Sequence, residues 1–95
     1  MNLAAHAEVF KALAHESRLG IVIRLGGGPA TAGELAAAVG GEQSTVSRHL
    51  AVQKAAGIVE DERKGRTVEY RLTIPCVNDF LRCASTVLKE REPRR

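Results

Sequence analysis

The sequence predicts a single small domain that is mainly α-helical and carries one β-hairpin. Apolar residues recur every three or four positions up to residue 56 and again after residue 75, which is the spacing of helices buried on one face. Between residues 58 and 72 the spacing becomes two, the period of a half-buried strand. With 44% hydrophobic but only 3% aromatic residues, the core must be built largely from Ala, Leu, Val and Ile, which favours helix-on-helix packing.

The first two helices are predicted from short polar residues that can cap their N-termini. Asn2 has such a side chain near the start, and Ser17 has one after a break at residues 15 and 16. The run from Gly26 to Pro29 ends the second helix. The residues predicted to face inward are Val9, Phe10 and Leu13 in the first helix and Leu19, Val22, Ile23 and Leu25 in the second.

Two more helices are predicted on either side of a glycine turn. Thr31 and Glu34 form a T-x-x-E capping box, in which each side chain satisfies a backbone donor at the start of the third helix. Gly40–Gly41 supplies the turn, and the fourth helix is predicted over Gln43–Ala55. The inward residues are Leu35 and Val39 before the turn and Val46 and Leu50 after it.

A hairpin and a last helix complete the predicted domain. Ile58 and Val59 open the first strand, and Lys64–Gly65 is predicted as the tight turn. Pro75 suits the first turn of the last helix, and the tail at residues 91–95 is predicted to be frayed. Inward residues are Val68, Tyr70 and Leu72 in the second strand and Val77, Phe80, Leu81, Ala84, Val87 and Leu88 in the last helix.

This order of elements, α1-α2-α3-α4-β-β-α5, is a winged helix-turn-helix, and the sequence resembles the ArsR/SmtB family of bacterial repressors. The matching segments are FKALAHESRLGIV (10–22), GELAAAVG (33–40), QSTVSRHL (43–50), AAGIV (55–59) and GRTVEYRL (65–72). The resemblance implies a homodimer that binds operator DNA and releases it when an effector binds. It also implies that the domain 1–95 contains a helix-turn-helix at 31–56, a wing at 58–72 and dimerisation helices at 1–15 and 75–90.

The distribution of charge agrees with a polyanionic partner. The net charge is +3, but residues 1–47 carry three basic and four acidic side chains, whereas residues 48–95 carry eleven and seven. The basic excess therefore belongs to the half that begins inside the fourth helix. An ordinary solvated surface is the alternative interpretation of charge alone.

The N-terminal half of the fourth helix is the predicted base-reading element, because a recognition helix places its first turns in the major groove. Glutamine can pair with adenine and arginine with guanine, while serine and threonine can meet bases or phosphates. The predicted DNA contacts are Gln43, Ser44, Thr45, Ser47 and Arg48. Ser44 and Thr45 could instead serve only to start the helix. His49 falls on the inward side and is interpreted as a hydrogen-bonded packing residue.

The wing supplies the second predicted contact. Arg63, Lys64 and Arg66 surround Gly65 at the hairpin tip, where basic side chains can meet phosphates. A charged cap on an exposed hairpin is the alternative. The acidic residues at 60–62 partly cancel this charge, so the wing is expected to add affinity more than sequence selectivity.

The two best-known metal sites of the family are missing from this sequence. Arsenic sensors carry a C-V-C segment in the third helix, where this chain has Ala36–Ala38. Zinc sensors use acidic and histidine ligands on the last helix, but residues 73–95 contain no histidine. We therefore predict no metal site of either kind and no cofactor.

The two cysteines, Cys76 and Cys83, are the remaining candidates for an effector site. Seven residues place them on one face of the last helix but about 10.5 Å apart along its axis, too far for a disulfide within one helix. Antiparallel helices across a dimer could bring them together. A thiol switch responding to reactive sulfur, oxidants or arsenite is one hypothesis. Two small packing residues in a dimer interface are another. Two thiols from each subunit could also hold a metal.

Other function classes find less support. The sequence does not predict an enzyme, because we find in it no metal cluster, no phosphate-binding glycine loop and no nucleophile with a matching base. A winged-helix protein interaction module without DNA binding is the alternative to a repressor, although the basic wing and the QSTVSR segment argue against it. No membrane span or signal peptide is recognised, so a cytoplasmic location without membrane contact is expected.

Overall fold

A computed structural model describes residues 1–91 of the chain; residues 92–95, most of the predicted frayed tail, lie outside the described residues. Five helices and a small antiparallel sheet form the predicted winged helix-turn-helix. The helices are α1 (Leu3–Lys11), α2 (Glu16–Leu25), α3 (Ala32–Val39), α4 (Gln43–Ala55) and α5 (Cys76–Arg91). The strands are β1 (Ala30–Thr31), β2 (Val59–Lys64) and β3 (Thr67–Leu72).

The helix-turn-helix of α3 and α4 forms as the local signals predict. The Thr31 hydroxyl accepts from the Glu34 N–H at 3.2 Å, and the Glu34 carboxylate accepts from the Thr31 N–H at 2.9 Å. The bond from the Thr31 N–H to the carboxylate, with a smaller contribution from the Thr31 side chain, holds the pKa of Glu34 below its ordinary value. Gly40 ends α3 with φ 71°, a left-handed conformation that glycine adopts without strain, so the chain can turn into α4.

The sheet has three strands in the order β1-β3-β2, one more than the sequence predicted. β1 consists of two residues, and Ala30 pairs with Tyr70 while Thr31 pairs with Glu69. Because β1 leads directly into α3, its pairing ties the wing to the start of the helix-turn-helix. The hairpin turn is one position later than predicted: Lys64 pairs with Thr67, so Gly65 and Arg66 form the two-residue loop.

The core lies where α2, α3 and α4 meet the base of the sheet. Its buried apolar side chains are all aliphatic, as the composition predicts. They are Ala12, Leu13, Ile21, Val22, Leu25, Ala30, Leu35, Ala36, Val46, Leu50, Ile58, Val59 and Val77. Val39, Tyr70, Leu72 and Leu81 pack against this cluster while half-buried.

Helix α2 differs from the prediction at its cap and on its inner face. His15 is the N-cap, and its Nδ1 accepts from the Ser17 N–H at 3.0 Å, so Ser17 lies inside the helix instead of capping it. Ile21 is buried, whereas Ile23, predicted to face inward, is 58% exposed. Asn2 caps α1 as predicted, by accepting from the Ala5 N–H at 3.1 Å.

The terminal helices leave much of their apolar surface uncovered. Helix α5 is anchored near its start, where Val77 is buried and the Asn78 side chain donates to the Val22 carbonyl at 3.1 Å. The side chains predicted to be inward but exposed within this chain are Phe10, Phe80, Val87 and Leu88. No helix within residues 1–91 is both long enough and apolar enough to cross a membrane.

Candidate nucleic-acid interface

Helix α4 exposes a narrow polar face that contains four of the five predicted recognition residues. Gln43, Ser44, Ser47 and Arg48 are exposed, whereas Thr45 is half-buried at the edge of this face. Ser44, Ser47 and Ala51 lie one above another, since positions three and four apart share one side of a helix. We call Ser44, Ser47, Arg48 and Ala51 the outer face of α4. Three of its four side chains are small, so a ligand could approach the helix backbone closely.

The inner face of α4 fixes the helix on the domain. Val46 and Leu50 are each 1% exposed, and Gln53 is fully buried. At the C-terminal end, Lys54 forms an ion pair with Asp61 of β2 at 2.9 Å. The charge of Lys54 is therefore partly neutralised by Asp61. Arg48 is the basic residue of the outer face.

Glu42 is the N-cap residue of α4, and its side chain makes no capping hydrogen bond. The first N–H groups of the helix therefore lack a side-chain acceptor, and the positive end of the helix dipole lies beside the outer face. An anionic group that approaches this end is attracted by the helix and by Arg48 but repelled by the Glu42 carboxylate.

The three basic residues of the wing tip differ in their ion pairing. Arg63 and Arg66 are exposed and form no ion pair with any residue of the described chain. Lys64 is also exposed, but its Nζ lies 3.3 Å from a Glu69 oxygen and 3.8 Å from a Glu62 oxygen. The predicted cationic tip is thus made mainly by the two arginines.

An open cleft of about 420 Å³ connects the recognition helix with the wing. Gln43 and Arg66, which the sequence placed in separate elements, both line it. The other lining residues are Thr31, Ala32, Gly33, Thr67, Val68 and Tyr70. A Cβ built on Gly33 would lie 3.3 Å from the Gln43 Oε1, so this glycine leaves the Gln43 side chain room at the start of α3.

A polar contact behind the outer face was not predicted. Arg18 of α2 donates from Nε to the Nδ1 of His49 at 3.0 Å. His49 is half-buried and hydrogen-bonded, which agrees with its interpretation as a packing residue. Its partner could not be identified from the sequence, because the two residues are 31 positions apart.

Both cysteines are free and exposed within this chain. They occupy the first and eighth positions of α5, and Phe80 and Val87 share their side of the helix. Cys76 and Cys83 therefore belong to the same stripe as two of the uncovered apolar residues. Within residues 1–91, no three His, Cys, Asp or Glu side chains are grouped in a way that could hold a metal ion.

Comparisons with known proteins agree with this architecture. A family model described as a helix-turn-helix domain matches residues 13–62. The arsenical resistance operon repressor of Escherichia coli is 38% identical over 74 residues, which are 77% of this chain and 63% of that repressor. The chain spans 63% of that repressor, 55% of the regulator NmtR and 52% of the repressor SmtB, both of Mycobacterium tuberculosis, so it covers less than two thirds of the length of these three relatives.

Solved structures match over nearly the whole chain. The homodimeric winged helix-turn-helix DNA-binding domain of a possible ArsR-family regulator from Mycobacterium bovis superposes with a TM-score of 0.84 and 28% identity, covering 98% of this chain and 89% of that one. The transcriptional repressor BigR from Xylella fastidiosa gives a TM-score of 0.78 and 33% identity, covering 90% and 87%. The chain therefore belongs to the ArsR/SmtB family of winged helix-turn-helix transcriptional repressors.

Proposed function

We propose that the chain is a dimeric transcriptional repressor that binds operator DNA through α4 and the wing. The observation that carries this proposal is the outer face of α4, where small side chains surround an exposed Arg48. The exposed arginines of the wing tip supply further positive charge. Relatives named as repressors, including that of the arsenical resistance operon, support the same function.

The outer face suits the major groove of B-DNA in shape and in chemistry. The groove is about 12 Å wide and admits one α-helix. Because Ser44, Ser47 and Ala51 are small, the helix can approach the base edges, and Arg48 can reach a guanine with two hydrogen bonds. Gln43 is at the first position of the helix, where it can reach an adenine or a phosphate. Arg63 and Arg66 would hold the flanking backbone and fix the register.

A second copy of the chain would cover the exposed apolar surface of the terminal helices. Its main members are Leu3 and Phe10 of α1 and Phe80, Val87 and Leu88 of α5, with exposed fractions from 49% to 74%. An uncovered apolar surface of this kind is typical of an interface. The related domain from Mycobacterium bovis is homodimeric. Two-fold symmetry would present two copies of α4 to successive major grooves about 34 Å apart.

We further propose that Cys76 and Cys83 act as the effector site. Their stripe on α5 also contains Phe80 and Val87, so a partner subunit that packs on these residues would meet the thiols as well. An oxidant of the organic polysulfide class could join Cys76 to Cys83 of the partner subunit. Two thiols would then lose two protons and two electrons to form the bridge, and one sulfur–sulfur bond of the polysulfide would be reduced to thiols.

Fluorescence anisotropy of the reduced protein on a labelled duplex from the region upstream of its own gene tests DNA binding. We expect tight binding to this duplex and much weaker binding to a scrambled duplex of the same length and composition. Equal binding to both would leave only non-specific attraction to phosphates. Absence of binding in low salt would contradict the proposed function.

The effector hypothesis is tested by repeating the titration after treatment with an organic polysulfide or with arsenite. The chain has two cysteines, so the double variant Cys76→Ser/Cys83→Ser contains no thiol and serves as the control. We expect an active agent to release the wild type and to leave the double variant bound. If neither agent changes binding, the cysteines are packing residues.

A further inference from the structure

A polar link joins α2 to the recognition helix behind its outer face. The guanidinium of Arg18 donates from Nε to His49 Nδ1 at 3.0 Å and from Nη1 to the Lys11 carbonyl at 3.1 Å. The rings of His15 and His49 lie 4.6 Å apart between centroids, tilted by 45°. One guanidinium thus holds α4 through His49 and the end of α1 through Lys11.

Arg18 of α2 also contacts a second residue of α4, Gln53, which lies one turn after His49. The side-chain amide of Gln53 donates to the Arg18 carbonyl at 3.1 Å and to the Ala12 carbonyl at 3.4 Å. Gln53 is fully buried, and its Oε1 has no hydrogen-bond partner in the described chain. Hydrogen bonds are directional, so these contacts fix the rotation of α4 against α2 more narrowly than apolar packing alone.

The link requires a neutral His49. Because Nδ1 accepts from Arg18, the neutral ring carries its proton on Nε2, and a second proton at Nδ1 would remove the acceptor. Burial is the main cause that lowers the pKa of His49 from the ordinary value of 6.5. Smaller contributions come from His15 and Arg18 at the start of α2 and from Arg48 of α4 itself.

Carboxylates on the elements around α4 are engaged elsewhere or exposed. Glu8 of α1 is paired with Lys11 at 3.2 Å, Glu34 of α3 is bound to Thr31, and in β2 the ion pairs are Glu60 with Arg71, Asp61 with Lys54 and Glu62 with Lys64. Glu42, at the N-cap of α4, is exposed. Glu16, the one carboxylate of α2, is exposed to solvent, where its field is screened. An imidazolium at His49 would therefore lie among cations without a nearby anion to stabilise it.

We propose that Arg18 and His49 form a pH-sensitive positioning link, which holds the recognition helix at the angle DNA requires and releases it when His49 is protonated. The effect on DNA rests on the proposed function, whereas the link itself is a property of the free protein. Neither residue needs to touch DNA, since both act through the orientation of α4. Acid then weakens DNA binding even though it adds positive charge to the protein.

The direction of the effect follows from proton linkage. The pKa of His49 is lower in the folded chain than in the unfolded chain, so the unfolded chain binds the proton first as the pH falls. The contribution of the link to stability is complete above the unfolded value of about 6.5 and is lost as the pH falls through the folded-state pKa.

The test compares the wild type with His49→Gln and His6→Gln at pH 7.5 and 5.5, by anisotropy on the upstream duplex. In His49→Gln the amide oxygen can still accept from Arg18 but cannot be protonated. His6 is an exposed histidine on α1 that lies against the Asn2 carbonyl, and its replacement is the matched control. We expect the DNA affinity of the wild type and of His6→Gln to be about fivefold lower at pH 5.5 than at pH 7.5. This is the smallest effect that is usual for coupling between two binding sites. His49→Gln should bind the duplex with the same affinity at pH 5.5 as at pH 7.5.

Two outcomes in DNA binding would overturn the inference. An equal acid loss in His49→Gln would mean that other groups titrate, and an affinity that rises in acid would mean that protonated His49 attracts phosphate. Urea unfolding of the free proteins at the same two pH values separates this test from the proposed function. If no duplex is bound at pH 7.5, the proposed function fails, and the link is retained only if the wild type loses more stability in acid than His49→Gln.

Discussion

Helices α4 and α5 are of similar length, 13 and 16 residues, but they use their apolar residues in opposite ways. In α4 the apolar side is covered by the same chain, and Val46 and Leu50 are each 1% exposed. In α5 only the first turns are anchored, while Phe80 and Leu88 are each 60% exposed. One helix is therefore covered within the chain, whereas the other leaves an apolar surface open to the partner subunit that we propose.

The difference also explains how the two helices can be coupled. Because α4 is fixed on the domain by packing and hydrogen bonds, its outer face moves with the domain as a rigid surface. The position of one domain relative to its copy would depend on α1 and α5, since these helices carry the exposed apolar surface. In the proposed dimer, a chemical change on α5 would therefore alter the spacing of two recognition helices without changing the outer face itself.

The largest expected effect comes from the buried side of α4. Leu50→Ala leaves a cavity in the core and should lower the free energy of unfolding by about 2 to 5 kcal/mol. Leu88→Ala removes the same atoms from an exposed position and should change the unfolding of the monomer by less than about 0.5 kcal/mol. Urea denaturation at protein concentrations low enough to dissociate a dimer measures both. Equal losses would mean that the two helices are buried alike.

The exposed stripe of α5 should dominate self-association. Phe80→Ala should weaken the dimer by about 2 kcal/mol, or roughly 30-fold in the dissociation constant, because large aromatic residues contribute most in interfaces. Ser85 lies on the opposite side of α5, where its hydroxyl donates to the Leu81 carbonyl, so Ser85→Ala is the control. Sedimentation equilibrium compares the two variants. An unchanged dimer in Phe80→Ala would place the interface elsewhere.

Two basic residues of α4, Arg48 on its outer face and Lys54 near its C-terminal end, should differ in their effect on DNA binding. Arg48→Ala should reduce affinity for the specific duplex by about 1 to 3 kcal/mol for each half-site and reduce the discrimination against a scrambled one. Lys54→Ala should have little effect on affinity, because Lys54 is paired with Asp61 at the other end of the helix. Anisotropy titrations at one salt concentration measure both. A larger loss for Lys54→Ala would reverse the assigned orientation of α4.

The smallest expected effect belongs to the wing and appears in the salt dependence. Arg66→Ala should lower the slope of log affinity against log salt by about 1.8 for the dimer, because each of its two wings loses one phosphate contact worth about 0.9 on B-DNA. Lys64→Ala should lower it less, since Glu62 and Glu69 already share the lysine charge. Equal slopes for Arg66→Ala and the wild type would remove the wing from the interface.

Much of the fold could be predicted because its signals are local. The bounds of α4, Gln43–Ala55, match the prediction, and the capping box of Thr31 and Glu34 forms within four residues. Strand β1 was missed because its two residues acquire their conformation from Tyr70 and Glu69, about forty positions later. Ile21 and Ile23 are both apolar and near each other in sequence, so only tertiary packing decides that Ile21 is buried and Ile23 is not.

The candidate site was predictable in composition but not in its pairings. The side chains proposed to contact DNA are exposed or half-buried, as their polar character suggests. The pairing of Lys64 with Glu69 depends on strand register, and the bond from Arg18 to His49 spans 31 positions. Neither contact has a signature in the local sequence. The ion pairing of Lys64 at the wing and the hydrogen bond behind α4 can therefore be identified only from the three-dimensional structure.

In the proposed complex, two copies of the chain, joined through α1 and α5, present two α4 helices to one operator. Sedimentation equilibrium of the reduced wild-type protein with a labelled upstream duplex tests it most directly, because the mass of the complex gives the number of chains per duplex. We predict two chains on a duplex with one pseudo-palindrome, and a loss of this species in Phe80→Ala. A tight specific complex with a single chain would contradict the account.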